Sequence, residues 1–191
     1  MNALPLQIGN ENVYAGFWKR IGASFFDSFV LLPSMAMTQF IQSQSINSAI
    51  ITVLVSSVLY AAYMIFFNAK FGATIGKMVI GIKITRPDGS KIGFKQALIR
   101  SSVYLIFSVV MGAAQIVAIT HANPEIYLNA GWLERSQVLM QHMPPWNNWA
   151  FIGMQVWTWS QFIVFLVNKR KRAAHDLMAG TVVINRKFRI D

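Results

Sequence analysis

The chain has 191 residues, of which 54% are hydrophobic and 13% charged, with a mean hydropathy of +0.43 and a formal charge of +10. That is too apolar for an ordinary water-soluble domain and describes one integral membrane domain. The positive charge does not point to nucleic acid, since the cations sit beside hydrophobic spans with no soluble domain to form a groove, and the absence of cysteine removes disulfides, thiolate nucleophiles and Cys metal sites.

Residues 1–17 read as a short mobile cytoplasmic tail with no Lys or Arg and no signal-like basic start, so the first span is taken as an uncleaved anchor. Trp18-Lys19-Arg20 then supplies an aromatic and two cations where a helix meets the headgroups. The first span, residues 21–41, has the ~20 apolar residues a bilayer needs. At 100° per residue, Arg20, Ser24, Asp27, Leu31, Ser34, Thr38 and Gln42 lie along one line, while Phe25, Phe26, Phe29 and Phe40 cover the other faces. A carboxylate inside a span costs ~3 kcal/mol and marks either a buried ion pair or an ion pathway, and both readings stand for Asp27. Pro33 predicts a kink, because its ring removes one backbone bond and clashes with the Phe29 carbonyl.

The second span, residues 48–68, forms an antiparallel hairpin with the first and carries Thr52, Ser56, Tyr60 and Tyr63 on one face. The Gly-rich basic stretch after Lys70 is too polar to span. Gly72-Ala-Thr-Ile-Gly76-Lys77 is one residue short of a phosphate-binding loop and has Met78 where Ser or Thr is needed, which excludes nucleotide binding on this motif. Alternation over residues 78–85, followed by Arg86-Pro87-Asp88-Gly89, predicts a short β-hairpin that needs a further partner.

The third span, residues 97–120, also opens with a cation, and Arg100, Tyr104, Ser108, Met111 and Gln115 share one side of it. In the long loop before the fourth span, Asn123-Pro124-Glu125 has the composition of a helix start, and Trp132, Leu139 and Met143 are expected to lay that helix on the headgroups. His121, Glu125, Glu134 and His142 show no recognised ligand spacing, and no metal or other cofactor is expected. The fourth span, residues 148–167, stops at Asn168-Lys-Arg-Lys-Arg172. All Lys and Arg residues except Arg135 lie at Lys19-Arg20, between Lys70 and Arg100, or after Val167, which predicts both termini and the middle segment in the cytoplasm. His175-Asp176, then Gly180 and the β-branched Thr181-Val-Val-Ile184, predict an interfacial segment, a break and a strand that pairs with residues 78–85. His175 suits either a pH sensor or a cap, and Asp176 a partner for Arg20 or Arg172.

Taken together, Arg20 with Asp27, the Gly72 to Lys83 pattern G-x-T-x-G-K-x-x-x-G-I-K, Arg100, and Arg172-Ala-Ala-His175-Asp176 leading to Gly180 resemble the RDD family of small membrane proteins. By position, the arginine and two aspartates that name the family would be Arg20, Asp27 and Asp176. The resemblance implies a multi-pass membrane protein associated with transport, with cation/proton antiport proposed for some members. The chain departs from the common three-span layout in having four spans and a long outer loop.

The expected fold is therefore an all-α integral membrane protein of the bacterial inner membrane, with four transmembrane helices and a small cytoplasmic β-element. It comprises a tail at 1–17, a membrane domain at 18–184 and a basic tail at 185–191. The expected function is transport or support of transport, with Asp27 carrying a monovalent cation or proton, Ser24, Ser28 and Ser34 as co-ligands, and Arg100 as the competing cation and ion-pair partner of Asp27. The alternative is a non-transporting scaffold that binds a partner or anionic lipid through its basic cytoplasmic surface. An enzyme is not expected, because no paired carboxylates, nucleophile with base, or metal triad appears. Expected partners are the lipid bilayer, monovalent cations or protons, and a second copy of the chain in a homo-oligomer.

Overall fold

The computed structural model describes residues 4–188, so the outermost parts of the expected tails, 1–3 and 189–191, lie outside the described residues. Four long helices carry the chain: α1 (Phe17–Gln42), α2 (Ile46–Phe71), α4 (Phe94–His121) and α7 (Trp146–Val167), with the short α3 (Ile75–Ile80) between the second and third. All four are long and apolar enough to cross a membrane. At most 17% of any apolar window is buried within the protein, so the large side chains point outward, where lipid covers them. The chain is an all-α membrane protein with only small two-stranded sheets. Each expected span is present; the first three helices extend past both expected ends, and the fourth begins two residues early and ends at Val167 as expected.

Contacts divide the chain into two compact units, and every long helix contributes to both. The first unit takes the chain up to Leu31, then Ala62–Val103 and Val156 onward. In it, β3 (Ile82–Thr85) pairs antiparallel with β4 (Val182–Asn185), with Ile84 opposite Val183. All four β4 residues are buried, which explains the β-branched run there. The other edge of β4 is closed by the N-terminal segment: the Ala15 amide donates to the Val183 carbonyl (2.9 Å), the Asn185 amide donates to the Val13 carbonyl (2.9 Å), and Tyr14 bridges to Ile184. Ahead of it, β1 (Gln7–Ile8) and β2 (Glu11–Asn12) form a tight hairpin. The residues expected to be a mobile tail are therefore built into the fold, because Val13, Tyr14 and Ala15 are buried against a sheet edge that would otherwise be unpaired.

The expected pairing of the two β-prone segments is present, but residues 78–80 are helical rather than extended. Gly81, in the left-handed conformation (φ +73°), ends α3 by donating its amide to the carbonyls of Lys77 and Met78, so the strand begins only at Ile82. The predicted turn at Arg86 to Gly89 forms, and beyond it the hairpin consists of a single bridge, Thr85 to Lys91. After α7 comes α8 (Ala174–Met178), ended by Gly180 at φ +64°.

The second unit is Leu32–Ala61 with Tyr104–Gln155. It holds α5 (Pro124–Asn129) and α6 (Trp132–Gln141). The Asn123 side chain caps α5 as expected, accepting from the amides of Glu125 (2.9 Å) and Ile126 (3.3 Å). Trp132 points outward, but Leu139 is buried and Met143 packs against the same core as Tyr127 and Ile119, so the loop helices cover the unit's own apolar core instead of turning all three residues outward. Arg135, the cation outside the basic clusters, is buried: it donates to the backbone carbonyls of Tyr127, Ala130 and Gln39 and lies over the Tyr127 ring.

Candidate functional site

Two carboxylates organise the first unit, and their surroundings differ in kind. Asp176 stands at the third position of α8, where its Oδ2 accepts from the Ala173 amide (3.0 Å), the acidic half of a capping box. The same oxygen accepts from Arg20 Nη1 (2.8 Å), and Oδ1 accepts from Arg100 Nη1 and from the Thr181 hydroxyl (3.4 Å). No part of Asp176 is exposed, and Arg100 is 7% exposed. Burial alone would raise the Asp176 carboxyl, but the guanidiniums of Arg100 and Arg20 outweigh it and hold the group well below the usual carboxylate range.

The arginines are themselves held. Arg20 also donates to the carbonyls of Lys171 and Ala15 and stacks on the Phe165 ring at 5.1 Å. Arg100 donates to Thr181 Oγ1 (2.9 Å) and meets His175 Nε2 at 2.8 Å. A guanidinium has no acceptor, so the imidazole accepts there and is neutral, with its proton on Nδ1. Burial, with Arg100 beside it, pushes His175 down to about 3, which removes it as a sensor near neutral pH. Its backbone amide donates to Gln161 on α7 (3.1 Å). Arg172 bonds the carbonyls of Thr181 (3.0 Å) and Asp176 (3.2 Å) rather than a carboxylate. Asp176 thus ties α1, α4 and the C-terminal segment into one knot, and its hydrogen-bonding capacity is filled.

Asp27 has a different shell. Its Oδ1 accepts from the Tyr63 hydroxyl (2.8 Å) and the Gly76 amide (2.7 Å), and its Oδ2 accepts from the Thr74 hydroxyl (2.6 Å). The donors are neutral, and among the described residues no cation pairs with it directly. Lys77 is linked to it through Thr74, donating to that hydroxyl at 3.2 Å. The ion pair expected between Asp27 and Arg100 does not form, because Arg100 is drawn to Asp176 on the C-terminal segment, a partner that helix depth alone cannot reveal.

The Asp27 shell accounts for the G-x-T-x-G-K pattern. Asp27 caps α3 from another helix by taking the Gly76 amide, and Thr74, at the N-cap of α3, spends its hydroxyl on Asp27 instead of on its own helix. Gly76 is needed for space: a Cβ there would lie 2.1 Å from the Ala23 carbonyl oxygen. Gly72, at φ +70°, lets its carbonyl accept from the Ile84 amide at 2.6 Å, and a Cβ there would meet the Ile84 carbonyl at 2.8 Å.

The expected serine co-ligands lie elsewhere. Ser24 and Ser28 are exposed and bond back to the carbonyls of Arg20 and Ser24 on their own helix, at 3.1 Å each, the usual outcome for hydroxyls in a membrane helix. Ser34 belongs to the second unit. The polar line along the third span is likewise divided, with Arg100 in the knot and Ser108, Met111 and Gln115 in the second unit, lining a cleft of about 290 Å³ with Ser57 and Asn147. Tyr63, Thr74, Gly76, Thr181 and Gln161 were not expected in these shells. The polar face of span two and the G-x-T-x-G-K pattern were the signals that could have pointed to the first three.

Among known proteins, the chain is 30% identical over 176 residues to the uncharacterized protein YckC of Bacillus subtilis (strain 168), an alignment covering 90% of this chain and 86% of that one. No solved structure matches. The RDD family model matches residues 14–180, which span Arg20, Asp27, the Gly72 to Lys83 pattern, Arg100 and Asp176, and the chain belongs to the RDD family.

Proposed function

We propose that the protein is a transporter, or a subunit that supports one, in a bacterial inner membrane, and that Asp27 carries a proton or monovalent cation in exchange between the two. The observation that supports this reading is the contrast between the carboxylates. Asp176 is neutralised by two guanidiniums and is committed to structure, whereas Asp27 is held within a membrane helix by two hydroxyls and one amide. Hydroxyls can turn from donors to acceptors, so the oxygens of Tyr63 and Thr74 offer ligands to a small cation that displaces their protons from the carboxylate, and a proton on Asp27 would need no strong ion pair to be broken. On this reading the work is carriage and not bond chemistry, and the protein is not an enzyme.

The distribution of Lys and Arg supports an orientation with both termini cytoplasmic, which puts the first unit's sheet and both carboxylate shells at the inner side. A non-transporting scaffold is the second reading, favoured by the ordered sheet that ties both chain ends to the basic middle segment. Liposomes loaded with a pH-sensitive dye and challenged with Na+, K+ or Li+ gradients separate the two. The expected result is cation-dependent proton flux that Asp27→Asn abolishes in a protein that is still folded. A folded Asp27→Asn variant with unchanged flux rejects Asp27 as the carrier, and wild-type protein with no flux to any cation rejects transport by this chain alone.

A further inference from the structure

The first unit holds a cavity of about 710 Å³ that neither carboxylate shell uses. Its cationic wall consists of Lys19, Lys169, Lys171 and Lys187, and the one acidic residue against them, Glu11, is already paired with Lys187. Lys19 donates to Asn185 Oδ1 at 2.7 Å, Lys171 rests over the Phe165 ring at 5.7 Å, and Lys169 is exposed with no bonding partner among the described residues. Among the described residues, three of the lysines lining the cavity therefore have no carboxylate to neutralise them. The backbone holds one of them there: Lys171 adopts φ +50°, a conformation rare for a side-chain-bearing residue, and its carbonyl is gripped by Arg20.

Apolar residues also line the cavity, Leu6, Phe17 and Trp18, with Trp18 80% exposed. Phe17 begins α1, and Lys169 and Lys171 follow directly on the end of α7 at Val167. The cavity consequently lies where two membrane spans end, the level at which a span meets the headgroups, with lysines beside an exposed tryptophan. Its size suits a phosphodiester and glycerol together. A soluble anion would need the lysines but would gain nothing from the exposed Trp18 and half-buried Phe17 beside them.

We propose that this cavity is a binding site for an anionic phospholipid, with the headgroup phosphate among Lys19, Lys169 and Lys171 and the glycerol and first acyl carbons along Phe17 and Trp18. A basic pocket between spans is where a negative headgroup gains most over a zwitterionic one. The proposal is independent of transport by Asp27, since none of the lining residues bonds to that carboxylate, and either can fail alone.

The test uses purified full-length protein in neutral detergent, titrated with phosphatidylglycerol or phosphatidylcholine of matched chains and followed by native mass spectrometry. The expected result is retention of phosphatidylglycerol at least about tenfold tighter than phosphatidylcholine. The Lys169→Gln/Lys171→Gln double variant should weaken it about 25-fold, at roughly fivefold per lysine, while Lys91→Gln/Lys95→Gln, an equal loss of charge away from the cavity, should leave it within about twofold. Thermal stability of each variant without lipid checks that the fold is kept, and Lys169→Gln alone, at an exposed side chain, provides a fivefold readout if the double variant unfolds. Equal retention of the two lipids, or equal weakening by both double variants, overturns the site. Competition by glycerol phosphate or inorganic phosphate at the same concentration as the lipid overturns the assignment to lipid.

Discussion

Asp176 and Asp27 both lie within the stretch that matches the family, yet their substitutions should behave in opposite ways. Removing the Asp176 charge strands two guanidiniums that are buried together, so Asp176→Asn should lower stability by ~3–5 kcal/mol, read as a loss of thermal midpoint in detergent. Arg100→Gln should couple to Asp176→Asn by ~1–3 kcal/mol in a double-mutant cycle, while Arg100→Gln and Asp27→Asn should add to within ~0.5 kcal/mol because they share no bond. Strong coupling between Asp27 and Arg100 would contradict the two separate shells. The same knot sets an acid limit. His175 is neutral in the folded chain down to about 3 but takes up a proton near its ordinary value of about 6.5 once unfolded. The unfolded chain therefore binds more protons across that window, and stability falls as pH drops from about 6.5 towards 3. Asp176, depressed in the fold, adds a second loss below its ordinary value near ~3.9. The thermal midpoint should be level near pH 7 and decline steadily below about 6. His175→Gln should flatten the decline between about 6 and 4 while leaving the steeper fall below it. A midpoint that rises on acidification to pH 5 would refute the neutral imidazole.

Between elements, close approach matters more than charge. Helix α3 lies against α1 where Gly76 faces the Ala23 carbonyl, and Gly22 faces the Ile80 side chain at 3.4 Å from its would-be Cβ. Gly76→Ala must push the two helices apart and pull its own amide from Asp27, so a cost of ~3 kcal/mol or more is expected, with Gly22→Ala at no more than ~1 kcal/mol because Ile80 can shift. Comparable effects of the two substitutions on thermal stability would show that the contact is softer than its geometry implies. The β3–β4 register makes a further demand. Cysteines at Ile84 and Val183, which are directly opposite, should crosslink with a short thiol reagent faster than cysteines at Ile82 and Val183, which are two residues out of register. The reverse order would mean a slipped strand.

At the scale of the whole molecule, the four spans and the clustering of cations predict a topology that reporter fusions test directly. Fusions after Gln44 and within residues 125–141 should report outside, and a fusion after Gly89 inside. A cytoplasmic report from residues 125–141 would reverse the placing of both carboxylate shells. In the second unit, buried Arg135 satisfies three backbone carbonyls of the segments around it. It therefore serves structure and not orientation, which is why a lone cation sits outside the basic clusters.

The four spans, the cap at Asn123, the turn at Arg86 to Gly89 and the family were all legible in the chain, because each rests on local signals: length of apolar run, capping chemistry, turn residues and motif order. The pairing of residues 82–85 with 182–185 was also within reach, since two β-branched runs on one side of a membrane have few other partners. Tertiary structure alone decided which charge meets which. Span positions predict Arg100 at a depth similar to Asp27, yet it bonds to Asp176, because a carboxylate 76 residues further along the chain is carried back to it by α8 and the β4 strand. It also decided that Val13 to Ala15 would close a sheet edge and that Gly76 would feed its amide to Asp27. Periodicity places a side chain on a face of its own helix, but the choice between two buried partners depends on how elements distant in sequence pack, and no local pattern contains that distance.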